Sequence, residues 1–298
     1  MRDTLPVIGF IGLGQMGQPM TRRLIGAGYT VRGADLSAAA VDAFAAAGGV
    51  ACASAAEAAS GAEILITMLP TSAVVREALL GAGAAAASLA AGALVIDMSS
   101  SAPLDTRALG EDLAARGIGL IDAPVSGGVP RAITGQLAII AGGDAALIER
   151  ARPVLLAMGK AVIATGALGS GHAMKALNNY VSAAGLAAAC EAVIVGGKFG
   201  IDPSVVVDVL NASTGRNNST DVKMKPFVLS GSFASGFSMA LMAKDIRTAA
   251  DLAAQLDLPA PGLAAAADLW DRASISLGKA ADHTAIHQFL AGLDTGEE

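Results

Sequence analysis

The sequence predicts an α/β fold in which a doubly wound, mainly parallel sheet is followed by an all-α C-terminal domain. Three observations carry this prediction. Short apolar runs alternate with helical stretches up to about residue 166, only helical patterns follow, and a glycine-rich turn comes directly after the first apolar run. We therefore expect two domains, residues 1–166 and 167–298.

The strands are predicted from short runs that are apolar almost throughout, as expected where helices cover both faces of a sheet. These runs are Val7–Ile11, Thr30–Ala34, Ile64–Met68, Leu94–Ile96, Ile118–Ile121, Leu137–Ala141 and Ala161–Ala164. Helical stretches at Met16–Ala27, Ala38–Ala47 and Leu104–Arg116 lie between several of them. This alternation is typical of strand–helix–strand units with parallel strands.

The second half opens with one long helix, predicted over His172–Lys198, that carries small and apolar residues nearly all round. A small α domain does not cover such a helix on every side, so we expect a homodimer or homotetramer. Further helices are predicted at Pro203–Ala212, Met239–Gln255, Leu263–Leu277 and His283–Leu290.

Composition excludes several classes of protein. Of 298 residues, 53% are hydrophobic and 15% charged, which excludes a disordered chain. The net charge of −6 and the 3% of aromatic residues do not suit a nucleic-acid partner. The longest uncharged run, Ala78–Ile96, is mostly alanine and glycine and predicts a helix followed by a strand, not a membrane span. With no signal peptide pattern and only Cys52 and Cys190, we expect a cytoplasmic protein without a membrane partner.

The glycine-rich turn has the sequence Gly12-Leu13-Gly14-Gln15-Met16-Gly17. It follows an apolar strand and opens a helix, which is the context that a dinucleotide-binding turn requires. The first glycine permits the tight turn, the second lets the backbone approach a pyrophosphate, and the third allows close packing of helix on strand. The helix N-terminus then offers free N–H groups to the phosphates. This fingerprint predicts a Rossmann-type domain.

Asp35 ends the second predicted strand, about 20 residues after the fingerprint. A carboxylate there accepts hydrogen bonds from the ribose hydroxyls and repels a 2′-phosphate. No arginine follows Asp35 closely, and Arg32 lies on the opposite face of the strand. The predicted cofactor is therefore NAD, with NADP less favoured.

The start of the long helix carries a second constellation. Gly171, Lys175 and Asn179 follow one another at intervals of four, so they share one helical face. Desolvation favours the neutral form of a lysine, which makes Lys175 a candidate for proton transfer. A lysine whose ammonium extends to the surface stays open as the alternative. His283 and His287 could also share a face, but no further ligand accompanies them clearly, and no metal is predicted.

Six segments in this order resemble one known family. They are Gly9–Gly17, Met68–Pro70, Asp97–Ser100, Asp122–Gly128, Gly169–Lys175 with Asn179, and Lys244–Asp245. Together they resemble the signatures of the β-hydroxyacid dehydrogenases, the family that includes 3-hydroxyisobutyrate dehydrogenase and tartronate semialdehyde reductase. The resemblance covers nearly the full length of the chain.

The resemblance implies a role for each matching residue. Lys175 would be the general acid and base. Ser126 with the amides of Gly127 and Gly128 would hold the substrate carboxylate, Asn179 would orient the substrate or Lys175, and Lys244 would lie near both the nicotinamide and the substrate. The implied cofactor contacts are Gly12, Gly14, Gln15, Met16, Gly17, Asp35, Leu69, Pro70, Val74, Ser100 and Lys244. Threonine is common at the position of Ser100, and the hydroxyl is kept.

The resemblance therefore implies an oxidoreductase that moves a hydride between NAD and a small 3-hydroxy acid, or its semialdehyde, with a 3-hydroxyisobutyrate-like substrate favoured. The polar loop Ser213–Ser219, with Asn217 and Asn218, leaves a more hydroxylated acid open, such as tartronate semialdehyde or threonate. An imine reductase and a non-catalytic cofactor-binding protein stay open as well. The helix lysine argues against the imine reductase, and the combination of Lys175, Asn179 and the Ser126–Gly128 turn argues against a site without catalysis.

Overall fold

The computed structural model describes residues 5–293. Contacts between residues divide the chain into two compact units, of which the first ends at Lys175 and the second begins at Ala176. All named strands lie in the first unit, and the second unit is helical within the described residues. The predicted α/β sheet followed by an all-α region is confirmed.

Within the described residues of the first unit, nine strands form one sheet. They are β1 (Ile8–Ile11), β2 (Val31–Ala34), β3 (Val50–Ala51), β4 (Ile64–Thr67), β5 (Leu94–Asp97), β6 (Gly119–Asp122), β7 (Val125–Ser126), β8 (Leu137–Gly142) and β9 (Gly159–Gly166). The strands β3-β2-β1-β4-β5-β6 are parallel in that order, which is the doubly wound arrangement of dinucleotide-binding domains. Strand β8 pairs antiparallel with β6 and β7 and parallel with β9.

Seven α-helices lie in the part of the first unit that the structure describes before α8. They are α1 (Gly17–Gly26), α2 (Ala38–Ala46), α3 (Ala55–Ala59), α4 (Ser72–Leu80), α5 (Pro103–Ala114), α6 (Gly128–Thr134) and α7 (Ala145–Met158). Alternate residues of the central strands enter two separate apolar clusters: Ile64 and Ile66 pack in one, and Leu65 in the other. Since successive side chains point to opposite faces, both faces of the sheet are buried. This is why the strands read as continuous apolar runs.

In the run Ala78–Ile96 the predicted strand is present, but the predicted helix is reduced to the end of α4 and a short 3-10 turn. Helix α4 ends at Leu80, a short 3-10 turn follows at Ala85–Ser88, and only the strand that ends at Asp97 is as predicted. Gly83 and Gly92 adopt positive φ angles of 71° and 85°, which end regular helix on either side of this turn. The many alanines of this run favour a helix, but Gly83 and Gly92 interrupt it.

The second unit is built around the long helix α8 (Ser170–Phe199), whose first residues belong to the first unit. The other helices are α9 (Pro203–Ala212), α10 (Asn218–Val222), α11 (Met239–Gln255), α12 (Pro261–Leu277) and α13 (Ile286–Gly292), with a π-helical turn at Met224–Leu229 and a 3-10 turn at His283–Ala285. Their core contains the fully buried Trp270 together with Leu186 and Cys190 of α8. Another face of α8 carries exposed apolar side chains, among them Val181, Val195 and Phe199.

Among the described residues, α8 is the one helix long and apolar enough to cross a membrane by length and composition. A single helix of this kind is weak evidence for a membrane span, because a core helix of a soluble protein passes the same test of length and composition.

Candidate active site

The predicted cofactor residues gather at the carboxyl ends of the parallel strands. In the sheet register, Ile11 at the end of β1 pairs with Ala34 of β2 and with Thr67 of β4, and Thr67 pairs with Asp97 of β5. The strand order reverses between β1 and β4, and ligands of doubly wound sheets bind in the crevice outside such a reversal. The turns that carry the fingerprint, Asp35, Leu69 and Ser100 all leave the sheet at this edge.

The three fingerprint glycines have distinct environments. Gly12 has a φ of 100°, and a Cβ atom there would collide with the carbonyl oxygen of Met68. A Cβ atom on Gly17 would collide with the carbonyl oxygen of Gly12. Gly14 is exposed, and no described atom lies within 4 Å of where its Cβ would be. The chain thus packs tightly at two glycines and leaves open space at the third.

Helix α1 begins just behind this open turn. Met16 precedes the helix, and no described side chain caps the N–H groups of its first turn. Free N–H groups at a helix N-terminus bind anions. The space at Gly14 and this uncapped helix end fit the pyrophosphate of a dinucleotide.

Asp35 is held by main-chain donors. Leu13 N donates to its Oδ2 at 2.6 Å and Ser37 N donates to its Oδ1 at 2.8 Å. An ionised carboxylate oxygen accepts more than one hydrogen bond, so acceptor capacity remains for ribose hydroxyls. The guanidinium of Arg32 donates to the carbonyl oxygen of Glu57 at 2.9 Å, which engages it away from Asp35. The arrangement fits NAD.

The remaining cofactor candidates of the first unit lie on two adjoining loops. Leu69 and Pro70 follow β4, and Val74 stands exposed in the first turn of α4. Ser100 follows β5 in a partly buried position. The loops are connected, because Leu69 N donates to the hydroxyl of the buried Ser99 at 2.9 Å.

The predicted carboxylate-binding turn follows the short strand β7. Gly127 and Gly128 have positive φ angles of 131° and 64°, conformations that a residue with a Cβ atom rarely adopts. Ser126 and Gly127 are partly buried, and Gly128 is exposed at the start of α6. Successive main-chain N–H groups in such a turn can converge on one anion.

Lys175 lies beside this turn. Its Nζ donates to the carbonyl oxygen of Val125 at 2.9 Å, and Val125 is the residue before Ser126. The lysine side chain is partly buried. The first unit therefore brings together the predicted proton donor and the predicted carboxylate-binding turn.

The start of α8 is held by Asp122, to which sequence reasoning assigned no role of its own. Gly169 N donates to its Oδ1 and His172 N donates to its Oδ2, both at 2.7 Å. His172 is buried too, with Nδ1 at 2.8 Å from Thr106 Oγ1 and Nε2 at 3.8 Å from Asp97 Oδ2. This buried cluster positions the helix turn that carries Lys175.

In the second unit, Asp245 holds two predicted site residues. Asn179 Nδ2 donates to Asp245 Oδ2 at 2.6 Å, and Lys244 Nζ lies 3.1 Å from Asp245 Oδ1. Asp245 is 2% exposed. Asp245 ends the last of the six family segments but was not among the predicted site residues. A pattern that could have indicated its role is a carboxylate in a helix whose other buried residues are apolar.

Two further sequence candidates have local structural roles. Asn217 caps α10, since its Oδ1 accepts from Ser219 N and Thr220 N. The ring of His283 is buried, with Nδ1 at 3.1 Å from the carbonyl oxygen of Phe237. No group of three or more His, Cys, Asp or Glu side chains suited to a metal ion occurs within residues 5–293.

Two known protein families match this chain, and together they cover most of its residues. The family described as the NAD-binding domain of 6-phosphogluconate dehydrogenase matches residues 7–166. The family described as the NAD-binding of NADP-dependent 3-hydroxyisobutyrate dehydrogenase matches residues 169–290.

Individual relatives agree with these families. The 2-(hydroxymethyl)glutarate dehydrogenase of Eubacterium barkeri is 37% identical over 89% of this chain and 88% of its own length. The 3-sulfolactaldehyde reductase of Escherichia coli (strain K12) is 38% identical over 90% of each chain. The solved structure of Mycobacterium tuberculosis 3-hydroxyisobutyrate dehydrogenase with L-serine has a TM-score of 0.90 and 36% identity, and covers 96% of this chain and 99% of that one.

Proposed function

Because the chain belongs to the β-hydroxyacid dehydrogenase family of NAD-binding oxidoreductases, we propose that it transfers a hydride between NAD and a small 3-hydroxy acid or its semialdehyde. The observation that carries the proposal is the 2.9 Å hydrogen bond from Lys175 Nζ to the carbonyl oxygen of Val125. It puts a proton-transfer group next to a turn suited to a carboxylate. We propose a 3-hydroxyisobutyrate-like substrate, whose hydroxyl lies on the carbon next to the branched one.

The cofactor would be held by the first unit. The amides at Gly14, Gln15 and Met16 would bind its pyrophosphate, and Asp35 its ribose hydroxyls. Leu69, Pro70, Val74 and Ser100, on their two loops, and Lys244 from the second unit would complete the contacts. Bound NAD supplies the acceptor for the hydride, or the donor in its reduced form.

Lys175 performs the proton transfer in this proposal. In oxidation, its neutral amine accepts the hydroxyl proton as the adjacent carbon loses its hydride and becomes a carbonyl carbon. In reduction, its ammonium donates a proton to the carbonyl oxygen. Ser126 and the amides of Gly127 and Gly128 hold the substrate carboxylate, which keeps the reacting carbon in place.

Asn179 and Lys244 act from the second unit. Asp245 contacts both side chains, because Asn179 Nδ2 donates to one of its oxygens and Lys244 Nζ lies 3.1 Å from the other. We propose that Asn179 orients the substrate hydroxyl or Lys175, and that Lys244 lies near the nicotinamide and the substrate. Asp245 is a positioning residue for both.

We propose a homodimer or homotetramer, a cytoplasmic location, NAD rather than NADP, and a domain boundary after residue 166. The substrate is a small carboxylate, and no nucleic acid or membrane is proposed as a partner.

The test is a dehydrogenase assay with a panel of 3-hydroxy acids, each with NAD and with NADP. We expect turnover of 3-hydroxyisobutyrate or a close analogue, with NAD preferred. Turnover of cyclic imines but of no hydroxy acid would establish an imine reductase instead. Cofactor binding without turnover of any substrate would establish a non-catalytic cofactor-binding protein.

A further inference from the structure

A histidine in the first unit lies between two carboxylates, and all three side chains are buried. His172, Asp97 and Asp122 are 1%, 0% and 0% exposed. His172 Nε2 lies 3.8 Å from Asp97 Oδ2, and His172 Nδ1 lies 3.7 Å from Asp122 Oδ2. Within residues 5–293, no lysine or arginine nitrogen lies within 4 Å of either carboxylate. Carboxylates removed from water are costly unless a cation pairs with them.

The hydrogen bonds around the ring of His172 locate one of its protons. Thr106 Oγ1 lies 2.8 Å from His172 Nδ1 and 3.0 Å from the carbonyl oxygen of Ala102. A hydroxyl has a single proton and a carbonyl oxygen only accepts, so Thr106 donates to Ala102 and accepts from the ring. Nδ1 of His172 therefore carries a hydrogen.

The other ring nitrogen, Nε2, then faces a carboxylate. It is buried and has no hydrogen-bond partner within the described residues. In a neutral ring with its proton on Nδ1, Nε2 would present a lone pair to Asp97 Oδ2, so two acceptors would face each other at 3.8 Å. With a second proton on Nε2 the ring is an imidazolium, and each of its nitrogens lies within 4 Å of a carboxylate oxygen. Opposite charges at such distances favour the charged form of the ring.

Asp97 anchors the two loops that carry cofactor candidates of the first unit. Its Oδ1 accepts from Thr67 Oγ1 at 2.9 Å and from Ser99 N at 3.0 Å. Its Oδ2 accepts from Ser101 Oγ at 2.8 Å. The hydroxyl of Ser99 in turn accepts from Leu69 N at 2.9 Å. The carboxylate that faces the histidine thus organises the ends of β4 and β5 together with the loops that follow them.

Asp122 and His172 hold the other side of this cluster. Asp122 accepts from the main-chain N–H groups of Gly169 and His172. His172 precedes Lys175 in α8 by three residues, or about one helical turn. All of these residues lie in the first unit.

We propose that His172 is held as an imidazolium between Asp97 and Asp122, and that its charge fixes the turn of Lys175 relative to the two cofactor loops. His172 is then a positioning residue for the proton transfer. The positioning role rests on the proposed function, whereas the charge on the ring does not.

Nuclear magnetic resonance of the ring nitrogens tests the charge without any turnover. The sequence has three histidines, so the signals that persist in both His283→Gln and His287→Gln belong to His172. In the full chain labelled with ¹⁵N at histidine, we expect both ring nitrogens of His172 to be protonated at about pH 7. His283 gives the reference for a neutral ring, because burial lowers its pKa to about 4. One protonated and one unprotonated nitrogen in His172 would overturn the proposal.

Kinetics tests the positioning role. His172→Gln removes the charge and leaves two buried carboxylates without a cation, so we expect kcat for a hydroxy acid to fall at least about tenfold. The Kd of NAD, measured by calorimetry, should change less than about threefold, because the fingerprint turn and Asp35 hold most of the cofactor. His283→Gln is the control, since it replaces a buried histidine of the second unit, and should leave kcat unchanged.

A second substitution separates charge from shape. Asp97→Asn in the His172→Gln background removes one of the two negative charges and should restore kcat at least about threefold. If His172 only filled space, the losses of the two variants would add.

The outcomes distinguish the positioning role from the proposed function. A kcat of His172→Gln within about threefold of the wild type, or additive losses in the double variant, would refute the positioning role and leave the proposed function intact. A wild type that turns over no hydroxy acid would refute the proposed function and the positioning role with it, and the spectrum of the ring nitrogens would still decide the charge.

Discussion

At the scale of single residues, the proposed reaction depends on where Lys175 Nζ lies. A proton-transfer group must come within hydrogen-bond reach of the hydroxyl it serves. Its contact with the Val125 carbonyl holds the ammonium next to the turn at Ser126. A lysine directed only to the surface would not make that contact.

Replacement of Lys175 should stop catalysis without loss of the cofactor. We expect Lys175→Ala to lower kcat by at least about 10²-fold, the lower range for positioned acid–base groups. Lys175→Arg should lower kcat as well, because a guanidinium stays protonated and cannot accept the hydroxyl proton. The measurement is steady-state turnover together with NAD affinity by calorimetry. Turnover of Lys175→Ala within about tenfold of the wild type would remove the acid–base role.

Asp35 should determine the choice between NAD and NADP. We expect Asp35→Ala to lower the ratio of kcat/KM for NAD over NADP by at least about tenfold, since it removes both the ribose acceptor and the repulsion of a 2′-phosphate. Arg32→Met is the control, because Arg32 is engaged by Glu57 and should not affect the ratio. A wild type that prefers NADP would contradict this prediction directly.

At the scale of elements, the N-terminus of α8 is held by a carboxylate from the end of β6. Asp122→Asn leaves one oxygen for two main-chain donors and turns an amide NH₂ toward the other. We expect a loss of about 1–3 kcal/mol in the free energy of unfolding. Because this turn carries Lys175, kcat should fall while NAD affinity persists.

A matched variant distinguishes this effect from the loss of any helix cap. Asp144 caps α7 at an exposed position, where Ala146 N donates to its Oδ1 at 2.8 Å. Asp144→Asn should lower the free energy of unfolding by about 1 kcal/mol or less and leave kcat unchanged. Equal effects of both variants on kcat would show that Asp122 has no positioning role. The measurements are urea denaturation and steady-state kinetics.

The turn before α13 should make the protein sensitive to acid. Burial lowers the pKa of His283 from 6.5 to about 4 in the folded protein. The unfolded chain then binds the proton more tightly than the folded protein does. The contribution of neutral His283 to the free energy of unfolding is therefore complete above pH 6.5 and is lost as the pH falls toward 4. Between pH 7.5 and pH 5 we expect a loss of about 2 kcal/mol in the free energy of unfolding.

Urea denaturation across this pH range measures that loss. His283→Gln should flatten the dependence on pH, whatever its effect on stability at pH 7. His287→Gln replaces a less buried ring four residues later and should keep most of the dependence of the free energy of unfolding on pH. An unchanged slope in His283→Gln would assign the acid sensitivity to other groups.

At the scale of the whole molecule, α8 presents an apolar face to solvent. Val181, Val195 and Phe199 are 67%, 67% and 86% exposed. Val181 and Phe199 are 18 residues apart, or about five helical turns, so they share a face with Val195 close by. Exposed apolar stripes of this kind mark protein–protein interfaces.

The expected assembly is a homodimer or homotetramer that covers this face. Light scattering at micromolar concentration should give a multiple of the chain mass. Phe199→Glu should shift the protein toward monomer, whereas Leu156→Glu, at an exposed apolar residue of α7, should not. A monomeric wild type would contradict the prediction.

The sequence by itself predicted the alternation of strands and helices, the all-α region that follows it, and the glycine turn with Asp35. These features depend on local causes: hydrophobic periodicity, the conformational freedom of glycine and the start of a helix after a strand. Strand Val50–Ala51 and helix Ala55–Ala59 were not predicted, because elements of two and five residues are too short for a periodic signal.

Only the tertiary structure decided which polar groups meet. Lys175 contacts Val125 across 50 residues of sequence, Asp122 reaches Gly169 across 47, Asn179 binds Asp245 across 66, and Lys223 meets Ser182 across 41. A sequence pattern shows that a side chain can donate or accept, but not its partner. Which partner it meets depends on how the sheet register and the helix packing bring distant segments together, and no single segment encodes that.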